Sequence, residues 1–140
     1  MLIYRVEKKN GTGPWCSRGN GAYNYSWHSE GSFCFPNQQA MNSEQYSKWQ
    51  KHKRRTEFIF GFPNLLALFK YTKSPNQPKI KDCFKNMKEK GYYIVIYEVF
   101  DSSEVISDDS QLVFLPDEAV RVRRISPTSP FINILLDKYI

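Results

Sequence analysis

A chain of 140 residues has room for one domain and little more. Aromatics reach 16%, with ten Phe, nine Tyr and three Trp, which excludes disorder of the whole chain because disordered chains are poor in such residues. Seven Gly and eight Pro exclude collagen-like and Gly/Ser-rich classes, and a net charge of +6 points either to an anionic partner or to a solvated basic face.

Residues 2–7 (LIYRVE) alternate weakly between apolar and polar and predict a first strand. Asn10-Gly11-Thr12-Gly13-Pro14 then demands a turn, since Gly tolerates positive φ and Pro fixes its own. Residues 15–39 are rich in Gly, Ser, Asn and aromatics and have no helical period, so they predict a long loop carrying Tyr23, Tyr25, Trp27 and Phe33. Asn42 or Ser43 can cap a helix running to about Lys53, with Tyr46 and Trp49 on one face. Phe58–Phe62 reads as a short buried segment, and Pro63 suits the first turn of a short helix through Phe69.

Ile80, Cys83, Phe84 and Met87 have the spacing of an apolar helical stripe, with Pro78 near its start and Gly91 just past its end. Tyr92–Phe100 is nine residues dominated by β-branched and aromatic types, which predicts a central strand. An acidic loop leads to a strand over Gln111–Leu115, and Pro116-Asp117-Glu118 turns the chain into an alternating edge strand, Ala119–Ile125. Residues 126–130 read as a linker to a C-terminal helix with Ile132, Leu135, Leu136 and Tyr139 on one stripe. Helices grouped between the first and later strands predict a single α+β domain over 1–140 with a mostly antiparallel sheet. Ile80, Phe84, Met87, Ile94, Ile96, Val113 and Phe114 are expected to share one core.

No GxGxxG, GxxxxGK[ST] or HExxH occurs, which argues against Rossmann, P-loop and zincin chemistry. Three cysteines without CxxC spacing predict neither a disulfide framework nor a metal site, and suit a reducing cytoplasm. No apolar run approaches a membrane span, and residues 1–7 do not read as a secretory signal.

The charge is uneven. Residues 1–70 hold ten Lys/Arg against four Asp/Glu, whereas residues 101–140 hold four against seven. The densest basic run, residues 48–55, places Lys51, Lys53, Arg54 and Arg55 around Trp49, close in sequence to the aromatic loop. Cations interleaved with aromatics suit a nucleic-acid strand, through phosphate contacts and base stacking, and equally suit a protein interface. Arg5 stands inside the first strand, where it can face solvent or line a groove for a phosphate or carboxylate, and Gly13 follows where backbone can approach such a ligand.

The segments YRVE, GTGP followed by an aromatic, FGFPNLLALF, GYYIVIYEVF and QLVFLPDEAVRVRRI resemble a group of small proteins of phage and prophage genomes. In layout that group is similar to small ADP-ribosyltransferase-like domains, a fold that some phage anti-defence proteins, including an anti-CRISPR, also resemble. The resemblance implies that Arg5 is the first-strand residue that meets NAD, and that the acidic position falls near Asp108, Asp109 or Gln111. The chain departs from that pattern in lacking serines over Phe58–Phe62 and in having Val113 two residues after Gln111. Three readings follow. The leading one is a protein that binds a host target in the host cytoplasm, a nucleic acid or nucleoprotein, in counter-defence and without a cofactor. The second is an NAD-dependent ADP-ribosyltransferase. The third is a protein–protein interaction module with no anionic ligand.

Overall fold

A computed structural model describes residues 1–9, 43–55, 57–72, 79–107 and 112–139. The expected turn at 10–14 and aromatic loop at 15–39 lie outside the described residues. In chain order the elements are β1 (Leu2–Glu7), α1 (Ser43–Gln50), β2 (Ile59–Gly61), α2 (Leu65–Thr72), α3 (Ile80–Glu89), β3 (Tyr93–Val99), β4 (Val105–Ser107), β5 (Leu112–Phe114), β6 (Ala119–Ile125) and α4 (Pro130–Tyr139). They make the α+β domain with antiparallel sheets that the element order predicts.

Two three-stranded antiparallel sheets form, in the orders β1-β3-β6 and β2-β5-β4. One bridge joins them edge to edge. Tyr4 and Phe62 exchange both backbone hydrogen bonds, at 2.9 and 2.8 Å. The close approach needs a residue without a side chain beside it: a Cβ on Gly61 would stand 2.5 Å from Ile3 Cγ2 and 3.3 Å from the Tyr4 carbonyl oxygen. β3 is central in its sheet, as its apolarity predicts, and β6 is an edge.

The helices stop and start where local chemistry requires. Asn64 Oδ1 accepts from the Ala67 amide at 2.8 Å and caps α2. Gly91 adopts φ +86, and the Gly91 and Tyr92 amides donate to the Lys88 and Met87 carbonyls, closing α3 in a Schellman motif. The residues expected as a linker instead form a tight turn. The Ser129 amide donates to the Ser126 carbonyl, Ser129 Oγ accepts from the Ile132 amide, and Pro130 opens α4. Two further expectations are corrected. The acidic loop contains β4, because Val105 and Ile106 supply a short apolar pair that β5 can cover. α1 ends at Gln50, not Lys53, and the chain then turns on a His52 amide to Trp49 carbonyl bond.

The core is double. The first cluster joins the helices to one face of the strands. Ile80, Cys83, Phe84 and Met87 of α3, Leu68 and Phe69 of α2, Ile132 and Leu136 of α4 and Trp49 of α1 meet Val6, Phe60, Ile94 and Val113. The second cluster consists of strand residues, with Ile3, Val95, Tyr97, Val99, Leu112 and Phe114 buried together. Phe114, expected to pack with α3, belongs to this second cluster instead. Its neighbour Val113 points to the helices, and successive residues of a strand face opposite sides. The Tyr97 and Phe114 rings meet edge to face at 5.0 Å although β1 and β2 lie between their strands. Flat strands so placed stand about 14 Å apart, so the sheets lean toward each other and this face is concave.

Candidate functional site

β1 carries Arg5 and Glu7 two residues apart, and period-two alternation puts both on the concave face. Neither is exposed to solvent beyond 2%. Arg5 Nε donates to Glu7 Oε2 at 2.9 Å, and Arg5 Nη1 donates to the Phe60 carbonyl at 2.8 Å. Tyr97 Oη donates to the same Glu7 Oε2 at 2.8 Å, and Arg121 Nε donates to Glu7 Oε1 at 2.7 Å. The network therefore ties β1, β3 and β6 together through one carboxylate and reaches β2 through the arginine.

A β-bulge makes the Arg121 contact possible. Ile96 lies opposite Arg123, but Tyr97 lies opposite Arg121, so Val122 is the extra residue. In a regular ladder Val122 would face Tyr97 and Arg121 would turn to the other face; the bulge re-aims it. Arg121 then lies over the Tyr97 ring at 5.3 Å. Burial opposes the Arg121 charge, but the hydrogen bond and the charge of Glu7 outweigh it and hold the guanidinium pKa above its ordinary value. The Tyr97 hydroxyl is pushed up to about 12, first by burial and then by the negative charge of Glu7.

That shift has a consequence at alkaline pH. The unfolded chain releases the Tyr97 proton near the ordinary pKa of 10 and the folded chain near 12. Stability from this group is complete below pH 10 and is lost as pH rises toward 12, by about 2 kcal/mol. Tyr97→Phe is expected to flatten the urea-midpoint profile over that window, and an unchanged slope would show that other groups drive it.

The arrangement binds charge internally and leaves little for chemistry. Glu7 accepts three hydrogen bonds from two cations and a phenol and is 2% exposed, so most of its acceptor capacity is used within the fold. Arg5, expected to face solvent or line a groove, is 2% exposed, and its Nε and Nη1 donate to Glu7 and to the Phe60 carbonyl. Nor does Arg5 share adjacent strands with the segment near Gln111. β1 pairs with β3, and β5 lies beyond β2. Gly13, Asp109 and Gln111 lie outside the described residues, as do Tyr23, Tyr25 and Trp27. Among the described residues no cluster of His, Cys, Asp and Glu could hold a metal.

The basic run is sorted by the fold into anchors and free charges. Trp49, expected as an exposed stacking surface, is 7% exposed, and its indole N–H donates to the Arg55 carbonyl at 2.9 Å. Arg54 bonds Glu57 at 2.9 Å and Asp117 at 2.6 Å and lies 3.8 Å from Glu118. The hydrogen bonds that Arg54 donates to Glu57 and then to Asp117 raise its pKa above the ordinary value, and Arg54 lowers that of Glu57. His52 Nε2 lies 3.1 Å from Glu104, and its ring packs edge-on against Phe58 at 4.9 Å. Part of the acidic segment thus neutralises part of the basic run. Lys51, Lys53 and Arg55 stay exposed and carry no ion pair among the described residues.

Further cations gather at the opposite end of the strand order. A depression of about 360 Å³ is lined by Lys8, Lys9, Gly91 and Tyr93. Lys8 Nζ lies 5.2 Å from the Tyr92 ring, and the Arg124 guanidinium lies 5.2 Å from the Tyr93 ring. A larger groove, about 560 Å³, runs along α3 and the start of α4, but Asp82 and Glu89 alternate there with Lys81, Lys85 and Lys88. Sequence reading missed Glu7, whose signal was the Arg-x-Glu spacing within a strand. It also missed Lys8, Lys9 and Arg124, whose grouping depends on cross-strand register.

These features define a small α+β domain with a buried ion network and, among the described residues, exposed cations on the turn after α1 and at one end of β1, β3 and β6. The chain belongs to the family described as Bacteriophage T4 Y00F protein, whose family model matches residues 1–128. The phage resemblance of the sequence is therefore shown; the likeness to ADP-ribosyltransferases is not part of that match. No curated protein and no solved structure matches the chain. No described helix is long and apolar enough to cross a membrane.

Proposed function

We propose that this phage-family protein binds, without catalysis, a host target that carries phosphate charge, a nucleic acid or a nucleoprotein, as counter-defence would require. One observation carries the reading: the turn after α1 is pinned from below while its cations point outward. Trp49, His52 and Arg54 hold it to the Arg55 carbonyl, Glu104 and Asp117. Lys51, Lys53 and Arg55 are exposed on that held turn. Cations presented on a fixed backbone meet a phosphate chain with less ordering cost than cations on a free loop.

The transferase reading is the weaker because Arg5, its first-strand residue, is committed to Glu7 and the Phe60 carbonyl. A protein that binds NAD in its folded state would melt higher in its presence; here NAD is expected to leave the melting temperature unchanged.

Fluorescence anisotropy with labelled single-stranded and duplex DNA tests the proposal. Affinity should fall steeply with salt, and replacing Lys51, Lys53 and Arg55 together by Ala should flatten the salt slope by roughly one unit for each phosphate no longer neutralised. The fold should survive, since exposed charges contribute little to stability. Wild-type affinity in the triple variant would reduce the turn to a solubility feature.

A further inference from the structure

The cations at the end of the sheet where β1 and β6 stop and β3 begins take part in neither the ion network nor the turn after α1. Lys8 and Lys9 follow β1, Tyr93 begins β3 and Arg124 lies near the end of β6. Two segments distant in sequence thus line one depression, and Arg124 of a third lies 5.2 Å from the ring of Tyr93, one of its lining residues. The bulge at Val122 contributes here as well. Arg121 and Arg124 are three apart, yet their register partners, Tyr97 and Val95, lie on the same face. On that face Glu7 already accepts from Arg5, Arg121 and Tyr97. Among the described residues Lys8, Lys9 and Arg124 have no acidic partner.

We propose that Lys8, Lys9, Tyr93 and Arg124 form a second phosphodiester-binding surface that takes the backbone and a base of a nucleic-acid strand. The inference rests on the phosphate-binding reading above and adds a site to it. Lys8 and Arg124 are held over aromatic rings and not against acids, so their charge is fixed in place without being neutralised. A guanidinium 5.2 Å from a tyrosine ring places N–H donors for a phosphate beside an aromatic surface for a nucleobase. An acidic peptide would use the same cations but would leave the half-buried Tyr93 ring without a role.

The test measures binding of a fluorescein-labelled oligothymidylate strand of about 16 nucleotides. Four proteins are compared with wild type: the Lys8→Ala/Lys9→Ala double variant, Arg124→Ala, Arg124→Lys and the Lys51/Lys53/Arg55 triple variant. Unfolding midpoints confirm that each is folded. The double variant and Arg124→Ala are each expected to bind about tenfold more weakly, with a salt slope lower by roughly one unit for each phosphate released. Arg124→Lys should restore the slope but not the full affinity, because it returns the charge without the plane. Wild-type binding by the double variant and Arg124→Ala overturns this inference. Weakened binding in the turn variant alone would then leave the earlier reading standing. Weakened binding in the double variant and Arg124→Ala, with wild-type binding by the turn variant, supports the inference and overturns the role of the turn. Displacement of the strand by polyglutamate at equal charge concentration overturns the nucleic-acid assignment in favour of an acidic polypeptide. A wild-type protein that binds neither probe overturns both.

Discussion

Replacing Glu7 by Ala is expected to cost about 3–5 kcal/mol of folding stability, because it leaves a buried arginine without its counter-charge. Arg5 is 2% exposed and its Nε–Oε2 distance to Glu7 is 2.9 Å. The same change removes the acceptor of the Tyr97 hydroxyl and of Arg121, so two more donors lose their partner. Arg5→Ala should cost a similar amount, since it strands the carboxylate beside the partly exposed Arg121 alone. The double replacement Arg5→Ala/Glu7→Ala should cost clearly less than the two single changes summed, because neither member of the buried pair is left without the other. Urea unfolding of the four proteins gives the coupling energy. Additive costs would mean that the two side chains act independently, and the network would lose its status as a clamp across four strands.

Phe84→Ala is expected to cost about 3–5 kcal/mol as well, by a different mechanism, the cavity left when a buried ring is removed. Phe84 is 1% exposed and packs edge to face on Phe69 at 5.3 Å, and Phe69 in turn meets Tyr139 at 5.8 Å. The ring thus links α3 to α2 and, through Phe69, to α4, so the neighbours cannot close the gap without moving two helices. Phe84→Leu should recover more than half of the stability, since it restores most of the volume. A cost below about 1 kcal/mol for the alanine variant, a value typical of surface sites, would mean that the helices are not packed through this ring. The two predictions also differ in salt response. The Phe84 cost should be indifferent to ionic strength, and the Glu7 cost nearly so, because buried pairs are screened much less than exposed ones.

α3 shows how much of the fold was legible in the sequence. Its four-residue stripe, and the glycine that ends it, are local properties. Period 3.6 sets the buried face, and Gly91 supplies the positive φ that a Schellman motif requires. β3 was legible for the same reason, since eight of the nine residues over 92–100 are β-branched or aromatic and such a run is satisfied by burial on both faces. Phe114 was not. Its apolarity announced a core residue, and period two separates it from Val113, but that its side of the sheet is a second core and not a solvated face depended on the leaning of one sheet over the other. β4 was missed because three residues do not establish a period; its existence depends on β5 lying alongside.

The candidate sites divide along the same line. The sequence alone determined the basic balance, the density of cations over 48–55, the helices and main strands, and the phage resemblance that the family match shows. Only the tertiary structure decided what each charge does. Trp49 and Arg54 became anchors because the chain turns back on the Arg55 carbonyl and because Asp117, sixty-three residues on, comes within 2.6 Å. Arg5 became an internal clamp because Phe60, Tyr97 and Arg121 arrive from three other strands, the last of them only through a one-residue bulge. Lys8, Lys9 and Arg124 gather at one end of the sheet because β1 and β6 flank the same central strand. The physical reason is common to all three. Composition and periodicity report which side chains must leave water, whereas the partner of a charge is set by distances between strands that are remote in the chain, and those distances exist only once the chain has folded.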